Sequence, residues 1–336
     1  MADMANYWAA EGLRITLATW SGPQIGDFYR LDRRIHRVHL DVACGGTIRG
    51  NVKRVLKLRG LIAATRPDAV LSFLTRSNVP TILAGVSLPY RIVVSERVQP
   101  GLETGLQLGW RLLRRLVYGR ANAIVSQTRA TADWIQKNWQ QSALVIPNAL
   151  RPLPPPSGRR EPLILAAGRL VPQKGFDLLL QAFARVAADF PDWRIAIAGE
   201  GPERQGLARL HDKLGLAGRV DLLGHVQDIE AWMDRASLVV QPSRFEGFPN
   251  VVLESMGMGA AVISADCPAG PSELIVDGVN GRLVPVENVD ALARVMAELM
   301  SQPLLRERLG HEALRVREHF GQAPIMAQWN SVLLQR

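Results

Sequence analysis

Cysteine is scarce in this chain of 336 residues, which has only Cys44 and Cys267. Two thiols so far apart along the chain exclude a disulfide framework and a cysteine-rich zinc cluster, and they fit a reducing compartment. Long apolar runs are also missing, because the stretch 260–265 is far shorter than the ~20 residues that cross a bilayer. No charged-then-apolar signal peptide is expected at the start. We therefore predict a cytoplasmic protein that is soluble or lies on a surface.

Metal ligands and stacking aromatics are also few. The sequence has no Asp-x-Asp pair and no histidine–cysteine cluster with ligand spacing, so no bound metal is expected. Aromatic residues make up 6% of the chain and do not alternate with the basic residues. A protein that binds nucleic acid would be expected to combine stacking aromatics with basic residues. Nucleic acid is therefore not an expected partner.

Charge is distributed unevenly along the chain. Its composition, 47% hydrophobic and 21% charged, is that of a globular protein, and the length predicts two domains. Residues 1–150 hold 20 Lys and Arg against 9 Asp and Glu, a net charge of +11, whereas the remainder carries −2. On charge alone the basic half suits nucleic acid, an anionic membrane or a phosphorylated acceptor, and the lack of stacking aromatics leaves the last two.

Short apolar runs alternate with longer amphipathic stretches. The predicted strands are 14–18, 37–42, 69–73, 91–95, 123–126, 143–146, 163–167, 194–198, 220–223, 238–241, 261–265 and 281–284. Continuous apolar strands separated by helices indicate parallel sheets that are buried on both faces. We predict an α/β protein of two doubly wound, Rossmann-like domains facing a cleft, with ligands beyond the carboxyl ends of the strands.

Six prolines without periodicity, in residues 147–162, mark the domain boundary. We expect a first domain at 1–148, a linker at 149–162 and a second domain at 163–319. The first domain opens on a predicted helix at residues 1–10. It is therefore expected to lack the strand and tight glycine loop with which doubly wound domains begin.

The strongest motif lies at residues 241–254, where a strand ends, a Gly/Pro loop follows and a helix begins. Asn250 suits the N-cap of this helix, whose free N–H groups suit phosphate, and Gly247 permits close approach of the backbone. Glu246 and Glu254 are carboxylates that only accept hydrogen bonds, so they suit ligand hydroxyls. The motif indicates a ligand with hydroxyls at both ends and phosphate in the middle.

Positive charge for such a phosphate is offered by residues 167–175. Arg169 follows a strand and Lys174 precedes a helix, so both could point into the cleft. There they would clamp phosphate oxygens and stabilise a leaving diphosphate without a metal. The loops 198–203 and 223–228 are weaker motifs, and their backbone groups could hold a nucleobase.

These residues resemble the nucleotide-binding domain of family 4 glycosyltransferases, which are retaining enzymes of the GT-B fold. The similarity lies in Gly-Arg-Leu at 168–170 with Lys-Gly at 174–175, in Gly-Glu-Gly-Pro-Glu at 199–203, and in the Glu-x7-Glu motif at 246–254. The segment 266–273 resembles that of the family members that add hexoses or N-acetylhexosamines to lipid-linked or surface glycans.

The resemblance implies a role for each residue of the motifs. Arg169 and Lys174 would bind the donor diphosphate, Glu246 with the amides of 247–250 would hold the donor sugar, and Glu254 would bind ribose. The expected catalytic residues are Arg169, Lys174 and Glu246. The expected donor-binding residues are Gly168, Gly199, Gly201, Val226, Gly247, Phe248, Pro249, Asn250, Val251 and Glu254. The last helix, about 320–336, is expected to pack back onto the first domain.

The first domain is similar in general pattern and is expected to bind the acceptor, with Arg76, Asn78 and Arg97 on the acceptor side. Many relatives carry a histidine facing the donor sugar near the end of the fourth strand, where this chain has Ser-Glu-Arg at 95–97.

The predicted helix at 110–120 places its basic and apolar residues on different sides. Arg111, Arg114 and Arg115 are expected on one side, which is either solvated or in contact with anionic lipid headgroups. This leaves a peripheral position on the inner face of the plasma membrane open.

The predicted function is metal-independent transfer of a sugar, with retention, from a nucleotide diphosphate sugar to a glycan or lipid-linked acceptor. UDP is the expected nucleotide by resemblance, and no cofactor is expected. One alternative is a truncated, catalytically weak protein that binds sugar nucleotides, because the opening strand is expected to be missing. A sugar-nucleotide epimerase or a phosphorylase is less favoured, because no cofactor lysine or additional acid stands out.

Overall fold

The computed structural model describes residues 1–22, 24, 29–42, 48–103 and 105–335, so Cys44 lies outside the described residues. The chain divides into two compact units. Unit 1 comprises residues 1–126, 135–144 and 326–336, and unit 2 comprises residues 127–134 and 145–325.

Helices and strands alternate along the chain. The strands are β1 (Thr16–Thr19), β2 (His36–His39), β3 (Ala69–Phe73), β4 (Arg91–Glu96), β5 (Ala123–Ser126), β6 (Leu144–Val145), β7 (Glu161–Ala167), β8 (Arg194–Ala198), β9 (Val220–Gly224), β10 (Ala236–Gln241), β11 (Ala261–Ala265) and β12 (Arg282–Val284). The helices are α1 (Ala2–Ala10), α2 (Ile48–Thr65), α3 (Thr75–Gly85), α4 (Leu108–Val117), α5 (Arg129–Trp139), α6 (Phe176–Val186), α7 (Arg204–Lys213), α8 (Ile229–Arg235), α9 (Asn250–Gly257), α10 (Val289–Ser301), α11 (Pro303–Ala313), α12 (Val316–His319) and α13 (Gln322–Leu333). None of these helices is both long enough and apolar enough to cross a bilayer.

The sheets are built from parallel strands. The sheet of unit 2 has the order β12-β11-β10-β7-β8-β9, and in unit 1 β1 pairs with β2 while a second sheet follows the order β3-β4-β5-β6. Each predicted strand overlaps an observed one, which confirms the predicted doubly wound α/β fold.

The core of unit 2 lies on both faces of its sheet. Ile164 of the central strand β7 packs in one apolar cluster with Phe183, whereas the next residue, Leu165, packs in a second cluster with Val252 and Met256. Successive side chains of a strand point to opposite faces, so a strand covered on both sides must be apolar at every position. This is why the buried strands were readable as continuous apolar runs.

The proline-rich segment 149–162, predicted as a linker, belongs to unit 2. Nη1 of Arg160 donates to the carbonyl oxygens of Met233 and Asp234 at 2.7 and 2.9 Å. The backbone N–H of Leu150 donates to the carbonyl oxygen of Phe320. These bonds anchor the segment to the unit along most of its length.

Unit 1 is completed by the end of the chain. Trp329 of α13 is 2% exposed and its ring lies 6.2 Å from that of Phe73. Nε1 of Trp8 donates to Oδ1 of Asn330 at 2.7 Å, and Nε of Arg91 donates to the carbonyl oxygen of Val332 at 2.6 Å. Helix α13 thus packs in the core of unit 1 against residues that are far away in sequence.

Helix α4 reverses part of the predicted arrangement. Arg114, predicted on a basic face, is 3% exposed, and its Nη1 donates to Oγ1 of Thr75 and to Oε2 of Glu103 at 2.7 and 2.6 Å. The leucines at positions 108, 112 and 116 are 70%, 56% and 71% exposed. Since these positions are four residues apart, they form one apolar stripe on the helix, and this stripe is exposed together with Arg111 and Arg115.

Candidate functional site

The carboxyl ends of β7, β8 and β9 are joined by backbone hydrogen bonds in unit 2. The N–H of Gly168 donates to the carbonyl oxygen of Ala198 at 2.9 Å, and the N–H of Gly199 donates to that of Gly224 at 2.7 Å. Gly199 has a φ of +141°, and a Cβ on it would overlap the carbonyl oxygen of Gly168. Only glycine permits this backbone conformation and this close approach. The three loops therefore form one continuous edge of the site.

A cavity of about 350 Å³ lies at this edge. It is lined by Ala167, Gly168, Arg169, Ala198, Gly199, Glu200, His225, Val226 and Ile229. Four of the predicted ligand-binding residues are thus brought together, namely Gly168, Arg169, Gly199 and Val226. Gly201 is not among the lining residues, since it lies against the backbone of Leu170. Arg169 is exposed, and no described residue pairs with its guanidinium.

Lys174 and Glu246, predicted from two separate motifs, are in direct contact. Nζ of Lys174 lies 2.6 Å from Oε1 of Glu246, and the two side chains are 15% and 6% exposed. The same carboxylate oxygen accepts hydrogen bonds from Nε2 of Gln241 at 2.9 Å and from Oγ of Ser243 at 2.7 Å. Three donors compensate the burial of this charge. Within the described residues Oε2 of Glu246 accepts no hydrogen bond, so it can accept one from a ligand hydroxyl.

Arg244 fixes the loop of Glu246 to the loop of Lys174. Its Nη1 and Nη2 donate to the two carboxylate oxygens of Asp177 at 2.9 and 2.8 Å, and Nη1 also donates to the carbonyl oxygen of Pro172. The hydrogen bond to Asp177 raises the pKa of Arg244 further above its usual range. The forked geometry suits this bidentate pairing. Sequence reasoning missed Arg244, because its partner lies 67 residues away.

The start of α9 differs from the prediction. Asn250 is the first residue of the helix and Pro249 is at the N-cap, so the predicted N-cap role of Asn250 is wrong. Oδ1 of Asn250 instead accepts a hydrogen bond from Nδ2 of Asn148 at 2.7 Å. Phe248 is buried in the core beneath the loop, and Gly247 and Val251 are half-buried. No side chain caps the backbone N–H groups at the start of α9.

Glu254 follows within α9, with its side chain 23% exposed. Its Oε2 accepts a hydrogen bond from Nη2 of Arg151 at 3.3 Å, and Nη1 of Arg151 forms an ion pair with Glu230 of α8. Neither Arg151 nor Glu230 was singled out by the sequence. Ile229, the residue before Glu230 in α8, lines the cavity.

The predicted acceptor-side residues of unit 1 have different surroundings. Asn78 is fully buried, and its Nδ2 donates to Tyr118 and to the carbonyl oxygen of Ser95. Its Oδ1 accepts a hydrogen bond from Ser72 at 2.7 Å. The amide therefore joins elements of the core of unit 1, and its place on the acceptor side stays a prediction.

The two arginines assigned to the same side differ in exposure. Arg76 is exposed. Arg97 lies over the ring of Phe73, with 4.3 Å between the guanidinium carbon and the ring centroid. Burial lowers the pKa of Arg97 to about 10, so it remains a cation at neutral pH. Both arginines keep the charge that an anionic acceptor would need.

Glu96, at the end of β4, is the centre of a buried polar cluster that sequence reasoning did not find. The side chain is 3% exposed, and its Oε1 accepts a hydrogen bond from the hydroxyl of Tyr118. Arg114 lies 4.0 Å away, and it also contacts Glu103 and Thr75. Burial raises the pKa of Glu96 to about 7, although Arg114 and Tyr118 act in the opposite direction.

The raised pKa of Glu96 predicts that the protein loses stability as the pH rises. The folded protein holds this proton more tightly than the unfolded chain, so the favourable contribution is present at acidic pH and is lost between about pH 4.5 and about pH 7. The loss is about 3 kcal/mol. Glu96→Gln cannot ionise, so its free energy of unfolding should fall less between about pH 5 and about pH 8 than that of the wild type.

Urea denaturation at several pH values measures this difference, with the exposed Glu307→Gln as the matched control. Parallel decreases in the wild type and in Glu96→Gln would show that Glu96 does not titrate in this range.

Among the described residues, no three His, Cys, Asp or Glu side chains are grouped so that they could hold a metal ion. Arg169 lines the cavity, and the side chain of Lys174 lies against Gly168, another lining residue.

Two family models match adjacent parts of the chain. The model "Glycosyl transferases group 1" matches residues 154–316, and "Glycosyl transferase 4-like domain" matches residues 1–149. Together they cover nearly the whole sequence.

Two relatives and one solved structure are similar to this chain over different lengths. An exopolysaccharide phosphotransferase of Streptomyces coelicolor is 35% identical over 64% of this chain and 23% of its own length. The GalNAc-α-(1→4)-GalNAc-α-(1→3)-diNAcBac-PP-undecaprenol α-1,4-N-acetyl-D-galactosaminyltransferase of Campylobacter jejuni is 26% identical over 92% of this chain and 87% of its own. Among solved structures, Anabaena HepE in complex with UDP and glucose superposes with a TM-score of 0.74 at 19% identity, over 90% of this chain and 86% of its own.

Proposed function

Because this chain belongs to the family 4 glycosyltransferases of the GT-B fold, we propose that it transfers a sugar from a UDP-linked donor to a lipid-linked or polysaccharide acceptor. The donor binds in unit 2. The observation that carries this assignment is the buried Lys174–Glu246 pair, which lies in the same unit as a cavity lined by Arg169. Lys174 also lies against Gly168 of the cavity lining, so one ligand with a diphosphate and two sugar groups can reach these cations and carboxylates.

Each group has a chemical task in this proposal. Arg169 and Lys174 bind diphosphate oxygens and stabilise the negative charge that develops as the bond between the sugar and the diphosphate breaks. Oε2 of Glu246 accepts a hydrogen bond from a hydroxyl of the transferred sugar, while Oε1 stays with Lys174. Glu254 accepts hydrogen bonds from ribose hydroxyls. With these cations in place, we propose that the transfer needs no metal.

The transfer forms one bond and breaks one. The acceptor hydroxyl oxygen bonds to the anomeric carbon of the sugar, the bond between that carbon and the diphosphate breaks, and the hydroxyl proton passes to the departing diphosphate. Retention of configuration is proposed from the resemblance to the family.

The nature of both substrates is proposed from relatives. HepE is bound to UDP and glucose, which supports a UDP donor, and the name of the Campylobacter enzyme specifies an undecaprenol-linked acceptor, which supports a lipid-linked one. The net charge of +11 in residues 1–150 suits such an acceptor, because its diphosphate is anionic.

Lys174→Ala should lower turnover of a UDP-sugar by about 100-fold or more, because removing one preorganised charge from a transition state commonly has this effect. UDP release measures turnover, and calorimetry measures UDP binding. Lys213→Ala, at the end of α7, is the matched lysine control. Thermal unfolding is measured alongside, because the variant leaves the Glu246 carboxylate without its ion pair. Unchanged turnover would remove Lys174 from the mechanism.

The same assays separate the transferase from a protein that only binds sugar nucleotides. The proposal predicts that the wild type releases UDP and that suitable acceptors accelerate the release. Tight UDP binding without any turnover, across a panel of UDP-sugars and lipid-linked acceptors, would favour the binding protein.

We also propose that unit 1 docks on an anionic membrane through α4. Its stripe of Leu108, Leu112 and Leu116 is exposed, and Arg111 and Arg115 on the same helix are exposed as well. Exposed leucines next to arginines suit a surface with acyl chains below and phosphates above. On α2, Val52 and Leu56 are likewise exposed, at 52% and 62%. Such a position, on the inner face of the plasma membrane, would bring the enzyme to a lipid-linked acceptor.

Leu112→Glu and Leu116→Glu should each weaken binding to vesicles rich in phosphatidylglycerol by about tenfold or more, because burying one leucine contributes about 1.5–3 kcal/mol. Co-sedimentation measures the binding. Leu304→Glu is the matched control, because Leu304 is 78% exposed on unit 2. Equal binding of the wild type to vesicles of phosphatidylcholine alone, or no effect of either variant, would contradict the docking surface.

A further inference from the structure

Arg151 joins two carboxylates that no sequence motif brings together. It lies in the segment before β7, whereas Glu230 is in the first turn of α8 and Glu254 is in α9. Nη1 forms an ion pair with Glu230, and Nη2 lies 3.3 Å from Oε2 of Glu254. Nε of Arg151 is buried and has no hydrogen-bond partner in the described part of the chain. Within the described residues, Glu230 and Glu254 are therefore the polar partners of this guanidinium.

These carboxylates would oppose the proposed donor if they were not compensated. Glu230 follows Ile229, which lines the cavity, and Glu254 is the residue proposed to bind ribose. A UDP-sugar brings a diphosphate into the same region, and like charges a few ångströms apart repel strongly where water is partly excluded. Glu230 and Glu254 are only 19% and 23% exposed, so solvent screens them incompletely.

We propose that Arg151 is a positioning residue for the donor. It compensates one of the two negative charges of Glu230 and Glu254, so that the diphosphate can bind nearby, and it holds the carboxylate of Glu254 in the orientation that accepts the ribose hydroxyls. This role rests on the proposed function. Arg151 would thus act on the donor through Glu254 and not by direct contact.

An opposite role would also follow from the same contacts, namely that Arg151 occupies Glu254 and must leave before ribose binds. The geometry favours the supporting role. The guanidinium forms a separate ion pair with Glu230, and its contact with Glu254 is to Oε2 at 3.3 Å. A carboxylate has about four acceptor positions, so ribose and Arg151 can share it. The two roles predict opposite effects of removing the arginine.

Arg151→Ala should weaken UDP binding by about tenfold, with a much smaller effect on uridine, because uridine carries no diphosphate to be repelled. Calorimetry measures UDP, and competition measures uridine. Arg151→Lys should recover part of the UDP affinity, since it keeps one positive charge. Arg151→Ala combined with Glu230→Gln should also recover part of it, since one of the two carboxylates is then neutral. Arg185→Ala, which breaks an exposed ion pair with Asp290, is the matched control.

Several outcomes would overturn this role. Equal losses for UDP and uridine would indicate that Arg151 only supports the local fold, and thermal unfolding of each variant identifies that case. Tighter UDP binding by Arg151→Ala would mean that the arginine blocks the site. If Arg151→Ala binds UDP like the wild type, the arginine has no part in donor binding. A wild-type chain that binds no UDP would instead contradict the proposed function itself.

Discussion

The contact between Lys174 and Glu246 is the interaction on which the proposed donor site depends. A carboxylate that is 6% exposed needs compensation, and Glu246 receives it on one oxygen from Lys174, Gln241 and Ser243. This pairing sets the direction of both side chains. The second carboxylate oxygen remains available to a ligand, and the ammonium lies beside it. A sugar hydroxyl and a phosphate can therefore bind next to each other.

The loops that carry this pair are held together independently of it. Arg244 connects the strand-to-helix loop after β10 to Asp177 and Pro172 in the loop and helix after β7. Gly175 has a φ of +67°, and a Cβ there would overlap the carbonyl oxygen of Pro242, so the two loops approach as closely as backbones can. Both loops also start from neighbouring strands of one sheet, and parallel strands end at the same edge. The positions of both loops are thus fixed by contacts within unit 2 itself.

Much of the fold was predictable because buried parallel strands are apolar at every position and helices are not. The motif residues Gly168, Arg169, Gly199 and Val226 were also predictable, since residues that follow such strands meet at one edge.

Contacts between distant segments were not predictable from the sequence. Arg244 and Arg151 read as ordinary surface arginines until their partners are known. Asn250 was predicted as the N-cap of α9, but Pro249 is at the N-cap. The side chain of Asn250 instead accepts a hydrogen bond from Asn148. Periodicity also misassigned Arg114, because a buried cation is recognisable only from Glu103 and Thr75 beside it.

The most direct test of the donor site is a crystal structure of the chain with UDP bound. The account predicts that a phosphate oxygen lies within hydrogen-bond distance, roughly 3 Å, of Nζ of Lys174 or of the Arg169 guanidinium, while Glu254 contacts the ribose hydroxyls. UDP bound elsewhere, or bound here with Arg169, Lys174 and Glu254 all out of contact, would contradict it.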